Sequence, residues 1–174
     1  MTDTLTPTER SERMARVRSR DTKPEIRVRT YLHAAGLRYR LHQRIEGVRP
    51  DMVFASRRVA LFVHGCIWHR HPDPTCPFTR TPKSRVDFWE AKFAENTARD
   101  ARQKATLEAA GWHVAIIWEC ETQDAAKLRA LSATIRAVPM RASSPSHAPP
   151  PLAQPAIAYT PPVDPVRSVP HAVR

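Results

Sequence analysis

The chain has 174 residues, of which 41% are hydrophobic and 26% charged, proportions that suit one soluble domain of ordinary size. No apolar run approaches the ~20 residues that span a bilayer, no signal-peptide pattern opens the chain, and three cysteines are too few for a disulfide scaffold. We therefore expect a monomer of the cytoplasm. The net charge of +11 favours nucleic acid as partner, with an ordinary basic protein as the alternative.

Proline marks the C-terminal part of the chain. Ten of the 17 prolines fall in residues 139–174, a stretch that lacks glycine, tryptophan, phenylalanine and cysteine. Such a segment cannot bury enough apolar surface to offset the entropy of ordering, so a disordered tail is predicted. The rest of the chain carries 25 basic and 16 acidic residues, so the positive charge belongs to the part that folds.

Arginine is frequent before the first helix pattern. Arg13, Arg16, Arg18 and Arg20 indicate a basic arm that contacts DNA phosphates, or else a solvated face. The sequence therefore divides into a basic N-terminal arm over residues 1–20, a folded domain over 21–138 and the tail over 139–174.

Apolar periodicity predicts a mixed α/β domain with a central sheet and flanking helices. Pro24 suits the first turn of a helix that Gly36 ends. Alternating residues then predict three antiparallel strands, and a long helix before the fourth strand permits a parallel pairing there. The predicted elements are, in chain order, helix 23–35, strands 37–45, 51–55 and 59–64, helix 87–110, strand 113–119 and helix 124–137.

Two stripes of residues follow the spacing of one face along the long helix. The first would allow close approach to the sheet and consists of Ala94, Ala98, Ala101 and Ala105. The second mixes aromatic and polar residues, so it is either a functional face or a partly buried edge. It consists of Trp89, Phe93, Asn96 and Asp100.

Cysteine and histidine cluster in one loop. Cys66, His71 and Cys76 lie close together in sequence, and Cys120 follows the last predicted strand. These four side chains would complete the tetrahedral shell of a structural zinc ion and use every cysteine of the chain. Three free cysteines are the alternative. The spacing is not that of a zinc finger, so zinc would stabilise a loop within the larger domain.

Asp51 and His64 lie at the ends of two adjacent predicted strands. If residues 57–58 form a two-residue turn, Asp51 is directly opposite His64. A carboxylate beside an imidazole can bind a hard cation and position water. A salt bridge of Asp51 with Arg44 or Arg49 explains the same carboxylate equally well.

Further acids and a second histidine lie near this pair. His69 follows one short loop after the strand, Glu25 is in the first helix, and Asp100 is on the long helix. Carboxylates with histidines in a basic protein indicate phosphodiester cleavage.

Several of these segments match one known family. They are Arg18-Ser-Arg20-Asp21-Thr22-Lys-Pro-Glu25, Pro50-Asp51-Met-Val-Phe, Phe62-Val-His64-Gly-Cys66-Ile-Trp68-His69-Arg-His71, Phe88-Trp89 with Asn96 and Asp100, Gly111-Trp112, and Ile116-Ile-Trp118-Glu-Cys120. Together, over roughly residues 11–130, they resemble the very short patch repair (Vsr) endonucleases.

The resemblance implies a restriction-endonuclease-like fold with a structural zinc site. It also implies a Mg²⁺-dependent nick in one strand of double-stranded DNA, 5′ to the thymine of a T·G mismatch that arises when 5-methylcytosine deaminates. It assigns Asp51 and the backbone carbonyl of Val63 to magnesium, His64 and His69 to protons or metal-bound water, Glu25 to the orientation of His69, and Asp100 to a water on the metal.

The resemblance also assigns a DNA-binding surface. Trp68 and Trp89 match family positions that insert beside the mismatch, Asn96 belongs to the same motif, and Met14 matches a residue that enters from the opposite groove. For the two tryptophans, packing in the core or against the zinc loop is the alternative. Two positions depart from the family, because Val63 replaces a threonine and Ile67 replaces a phenylalanine. Ile67 remains an apolar wedge.

The partners implied are DNA with a T·G mismatch and, by resemblance alone, mismatch-repair factors or a cytosine methyltransferase near the nucleoid. Two rival functions remain open. One is a DNA-binding protein of this fold without catalysis, and the other is a nuclease of this fold with another DNA specificity.

Overall fold

Three helices and four strands lie within residues 20–141, which the computed structural model describes together with residues 6, 8 and 9. They are, in chain order, α1 (Lys23–Ala34), β1 (Arg40–Leu41), β2 (Met52–Phe54), β3 (Val59–His64), α2 (Val86–Ala109), β4 (His113–Trp118) and α3 (Ala125–Ala137). The tail beyond residue 141 and the predicted DNA contacts Met14, Arg16 and Arg18 lie outside the described residues. No described helix is both long and apolar enough to cross a bilayer.

The four strands form one mixed sheet in the order β1-β2-β3-β4. The first two pairings are antiparallel, whereas β3 and β4 run parallel from Val59 opposite His113 to His64 opposite Trp118. The connection between these two strands contains α2, as a parallel crossover requires. The predicted mixed sheet flanked by helices is confirmed.

The helix ends follow local chemistry. Thr22 caps α1 with its side-chain oxygen, and Pro24 occupies the first turn, where its missing N–H is no loss. The Asp124 carboxylate accepts hydrogen bonds from the backbone N–H groups of Ala126 and Lys127 at the start of α3. The three predicted helices are therefore found within one or two residues of their expected limits.

The sheet separates two apolar layers. Leu61 of β3 packs with Ile135 of α3 on one side, while Ala60 packs with Leu107 of α2 on the other. Because alternate strand residues point to opposite faces, a strand covered on both faces is a continuous apolar run, as in residues 59–63. Full burial of one such large side chain contributes about 2 kcal/mol, so one layer holds α2 over one face of the sheet and the other layer holds α1 and α3 on the opposite face.

The strand predicted over residues 37–45 is reduced to Arg40–Leu41. His42 has a φ of 49° and ends it, and Glu46 and Gly47, both with positive φ, then form a tight turn. Ile45 and Val48 pair across that turn through two backbone hydrogen bonds of 2.8 Å. The alternating apolar and polar residues therefore form a short strand and a separate small hairpin in place of one longer strand.

The turn between β2 and β3 has four residues instead of two. Three of them form a single 3-10 turn, and Arg58 adds a left-handed residue with a φ of 51°. Met52 therefore lies opposite Leu61, and the predicted alignment of Asp51 with His64 is wrong by two residues. A shift of two preserves the face of every side chain, so both groups still point toward α2.

The alanine stripe of α2 faces solvent. All four of its members are exposed, whereas Phe93, Asn96 and Leu107 are buried. The prediction that alanine would approach the sheet is wrong because the bulkier side chains of the other stripe fill that space. α2 therefore turns the stripe that includes Asp100 toward the end of β3.

Candidate active site

An open cleft of about 700 Å³ lies where the end of β3 meets α1 and α2. The start of β2, the end of β3 and the middle of α2 each contribute polar side chains to it. Every residue predicted to act in catalysis lines this cleft, namely Glu25, Asp51, Val63, His64, His69 and Asp100. The fold thus brings together groups that are far apart in the sequence.

Asp51 is fixed to both neighbouring strands. Its backbone N–H donates to the Leu61 carbonyl at 3.1 Å, and its Oδ2 accepts from the Val63 N–H at 2.8 Å. Burial raises the pKa of Asp51 to about 6, although the Val63 hydrogen bond opposes that rise. Arg49 donates to the His42 carbonyl at 3.1 Å, and no ion pair of Asp51 occurs within residues 20–141. The salt-bridge alternative for Asp51 is therefore not found.

His64 and His69 form a stacked pair with ring centroids 4.0 Å apart and planes 9° from parallel. The Nδ1 atom of His69 is 2.5 Å from Asp100 Oδ2, which leaves Nε2 as the nitrogen that faces other groups. Burial, reinforced by the neighbouring His69, lowers the pKa of His64 to about 4. At neutral pH, His64 is therefore an uncharged ring that can accept a proton.

Glu25 makes other contacts than predicted. Its carboxylate accepts hydrogen bonds from the Asp21 N–H at 3.1 Å, the Thr22 hydroxyl at 2.9 Å and Arg29 at 2.7 Å. The predicted orientation of His69 by Glu25 is corrected, since Asp100 makes that contact. Thr22 and Glu25 have the spacing of a helix capping box, a signal that could have revealed this arrangement in the sequence.

A cluster of three thiols lies beside the cleft. The Sγ atoms of Cys66, Cys76 and Cys120 lie within 4.8 Å of one another, and no disulfide joins them. Cys66 and Cys120 each follow the end of a strand by two residues, so the parallel pairing of β3 and β4 places them side by side. Burial raises the pKa of Cys66 to about 12, so this thiol keeps its proton unless a metal displaces it.

His71 does not join this group of three. Its Nδ1 accepts a hydrogen bond from the Asp73 N–H at 3.1 Å, and its ring contacts Trp118 edge-on with centroids 4.7 Å apart. Nε2 is then the nitrogen that could bind a metal. Three sulfur donors and a nearby imidazole nitrogen fit the ligand preferences of zinc.

Several known proteins are similar in sequence to this chain. The family model described as DNA mismatch endonuclease Vsr matches residues 2–74. The Type II nicking enzyme V.XorIIP of Xanthomonas oryzae is 49% identical over 136 residues, which cover 78% of this chain and 96% of the relative. The DNA mismatch endonuclease Vsr of Escherichia coli is 36% identical over 128 residues, which cover 74% of this chain and 80% of the relative. The chain belongs to the Vsr family.

As a Vsr endonuclease, the protein is an endodeoxyribonuclease whose substrate is DNA, so a DNA-binding protein without catalysis is no longer a candidate. Among solved structures, the chain is similar to the catalytic domain of the homing endonuclease I-Bth0305I. The match covers 67% of this chain and 96% of that domain. The two share 20% identity with a TM-score of 0.48.

Aromatic side chains of this Vsr endonuclease lie next to the cleft. The rings of Trp68 and Trp89 are 6.0 Å apart, and Phe88 packs on Trp89 with 49% of its surface exposed. Ile67, Trp68 and Trp89 are each half-buried, so part of each side chain still reaches the surface. Asn96 differs, because it is buried and donates to the Trp68 carbonyl at 3.1 Å. This bond holds the loop on α2, and a DNA contact of Asn96 stays a prediction.

Sequence reasoning missed three polar residues of the cleft, namely Arg99, Gln103 and Glu119, and it considered Arg49 only as a salt-bridge partner of Asp51. Glu119 directly follows β4, and β4 ends beside His64, so the parallel pairing itself could have indicated it. Arg99 precedes Asp100 on α2. Arg20, the predicted phosphate contact that lies within the described residues, is exposed.

Proposed function

We propose that this Vsr endonuclease nicks one strand of a T·G-mismatched duplex on the 5′ side of the thymine and requires Mg²⁺. One observation carries the proposal: the partly buried Asp51 carboxylate shares an open cleft with the stacked His64 and His69 rings. The Xanthomonas relative is named a nicking enzyme, which supports cleavage of a single strand. Deamination of 5-methylcytosine is the source of such mismatches.

The Asp51 site fits a hard divalent cation. Its carboxylate is partly buried at the edge of an open cleft, where a cation would replace part of the water lost on folding. Asp51 and the Val63 carbonyl would hold Mg²⁺, which when bound polarises the phosphate and lowers the pKa of water. Val63 supplies this backbone oxygen as well as a threonine would, although it offers no hydroxyl.

The two histidines would divide the proton transfers. The attacking water must lose a proton and the departing oxygen must gain one. His64 is uncharged at neutral pH and can accept a proton, while Asp100 orients His69 with Nε2 available to the substrate. Glu25, held by Arg29 and the cap of α1, adds negative charge beside Asp51 and helps to place the cation.

Zinc would hold the loop that carries His69. Cys66, Cys76 and Cys120 are already gathered, and His71 would supply the fourth ligand through Nε2. The role is structural, because these donors lie beside the cleft and not among its lining residues.

Mismatch recognition is assigned to the aromatic surface and the arm. Ile67, Trp68 and Trp89 would separate the mispaired step, which costs less to open than a paired one, while Met14 would enter from the other groove. Arg16, Arg18 and Arg20 would contact phosphates. If about six basic residues do so, log affinity falls with log salt with a slope of about −5.

We extend the proposal to the architecture and setting of the enzyme. The domain over residues 21–138 has a restriction-endonuclease-like fold, preceded by the arm over 1–20 and followed by the tail over 139–174, whose disorder stays a prediction from its composition. The enzyme acts as a monomer on the nucleoid in the cytoplasm, near mismatch-repair factors or a cytosine methyltransferase.

A panel of duplexes tests the function. One sequence is prepared with T·G, each other mismatch, and the fully paired C·G step, and each duplex is incubated with enzyme and Mg²⁺. We expect a single nick 5′ to the mispaired thymine, and none in the paired control. Equal cutting of T·G and paired duplexes would instead support the rival, a nuclease of this fold with another specificity.

A further inference from the structure

The cleft has an unusual balance of charge for a site that receives a phosphodiester. Four acids line it (Glu25, Asp51, Asp100 and Glu119), whereas its cationic side chains are Arg49 and Arg99. The scissile phosphate carries one negative charge and gains more in the transition state. A cation on the Asp51 side can offset part of that charge, so a second positive group is needed on the opposite wall.

Arg99 is placed to be that group. It belongs to the turn of α2 that also carries Asp100, the residue that orients His69. Arg49 instead donates its Nε–H to the His42 carbonyl at the other rim of the cleft. Of the two arginines that line the cleft, Arg99 is therefore the one whose position on α2 places it closer to His64 and His69.

The contacts of Arg99 leave it able to bind an anion. Its ion-pair partner within residues 20–141 is Asp100, and that contact is long, at 3.4 Å. The side chain keeps 47% of its surface exposed. A guanidinium offers five N–H donors in a planar fork that matches two phosphate oxygens, and Arg99 is one of the residues that line the cleft.

We propose that Arg99 is a catalytic residue that binds the non-bridging oxygens of the scissile phosphate from the α2 wall, opposite Asp51. The interaction strengthens as negative charge develops on those oxygens, so it accelerates the chemical step more than it tightens binding. This inference rests on the proposed function, because it requires that the phosphate be cleaved in this cleft.

Arg102 provides the matched control. It lies on the same helix three residues later, is exposed, and does not line the cleft. Arg99→Ala and Arg102→Ala therefore remove the same charge from α2, but only the first removes a donor from the cleft. Both substitutions are at exposed positions where alanine favours the helix, so both proteins should unfold at nearly the wild-type temperature.

The test is the single-turnover nicking rate on the T·G duplex with enzyme in saturating excess. We expect Arg99→Ala to slow nicking about 100-fold, and Arg102→Ala to change it less than about twofold. Arg99→Lys keeps the charge without the planar fork, so about tenfold slowing is expected. Salt-dependent binding of intact duplex should weaken equally in both alanine variants.

Two results would overturn the inference while leaving the proposed function intact. In one, both alanine variants nick at the same rate at saturation. In the other, the defect of Arg99→Ala disappears once enzyme concentration is raised, which would make Arg99 a binding residue only. Failure of wild type to nick any mismatched duplex would contradict the proposed function itself, so the two failures are distinguishable.

Discussion

The cleft and the thiol cluster lie next to each other at the end of β3, where His64 belongs to the first and Cys66 to the second, yet they are built differently. His64 and Asp51 are fixed by the sheet, and His69 by an acid on a long helix. Cys66 and Cys76 lie in a loop, and Cys120 lies in a 3-10 segment. The fold alone holds the cleft, at the cost of burying ionisable groups. The proposed zinc would hold the thiol cluster, so removal of zinc should unfold this region, whereas removal of Mg²⁺ should leave the cleft folded.

The largest effect is expected at the thiol cluster. Cys76→Ser removes one of three gathered sulfurs, and structural zinc sites contribute ~10 kcal/mol or more of apparent binding energy. We expect the variant to accumulate as insoluble or unfolded protein, and wild type to contain about one zinc per chain by metal analysis. Wild-type protein that contains no zinc and still unfolds cooperatively at an ordinary temperature would contradict this dependence on metal.

Asp51→Asn should abolish function and spare the fold. Asparagine can still accept the Val63 N–H, but it loses the charge that would hold Mg²⁺. We expect nicking of the T·G duplex to fall by about 10³-fold, with zinc content unchanged. Asp87→Asn, an exposed acid in the first turn of α2, is the control and should nick normally. Unchanged nicking by Asp51→Asn would remove this carboxylate from the mechanism.

The same substitution should stabilise the protein at alkaline pH. The folded-state pKa of Asp51 is raised from 3.8 to about 6, so its favourable contribution is present below pH 3.8 and is lost as pH rises through 6. In Mg²⁺-free buffer at pH 8, Asp51→Asn should therefore exceed wild type by about 3 kcal/mol in free energy of unfolding. Pairwise denaturation at each pH measures the difference, and added Mg²⁺ should stabilise wild type only.

His64 should show the opposite slope. Its folded-state pKa is lowered from 6.5 to about 4, so its contribution is present above pH 6.5 and is lost as pH falls toward 4. His64→Asn should therefore lose less stability than wild type when the pH is lowered from 7 to 4. Equal acid sensitivity of the two proteins would show that His64 is not buried uncharged.

The smallest effect is expected from the tail. The backbone N–H of Arg141 donates to the Ser56 carbonyl, so truncation should follow this residue. Removal of residues 142–174 should leave nicking within about twofold of wild type, since no predicted site residue lies there. A large loss of T·G nicking would assign the tail a part in DNA binding.

Local signals predicted the regular elements and failed where several segments interact. Pro24 and the apolar run of β3 act within a few residues, so the helix and the strand were found. The register of β2 and β3 depended on the left-handed Arg58, and arginine gives no sign of such a turn. The exposed alanine stripe could not be foreseen either, because the sheet and the aromatic loop decide which face of α2 is buried.

The site shows the same division. Grouping of the acids and histidines followed from strand ends, which the sequence indicates well. The partner of His69 did not, because Glu25 was already engaged by the cap of its own helix and by Arg29. A resemblance identifies which residues matter, but contacts among them depend on side-chain competition that motifs do not record.

The parallel ends of β3 and β4 have one more consequence. Cys66 and Cys76, the two ends of one segment, have their Sγ atoms within 4.8 Å of each other, and residues 72–75 between them are all exposed. Changes of length or composition at those four positions therefore need not reach the sheet. Residues 72–75 can therefore vary while Trp68 and His69, at the other end of the segment, stay in contact with α2. A single loop of the enzyme thus contains four positions that tolerate substitution and two residues that α2 constrains.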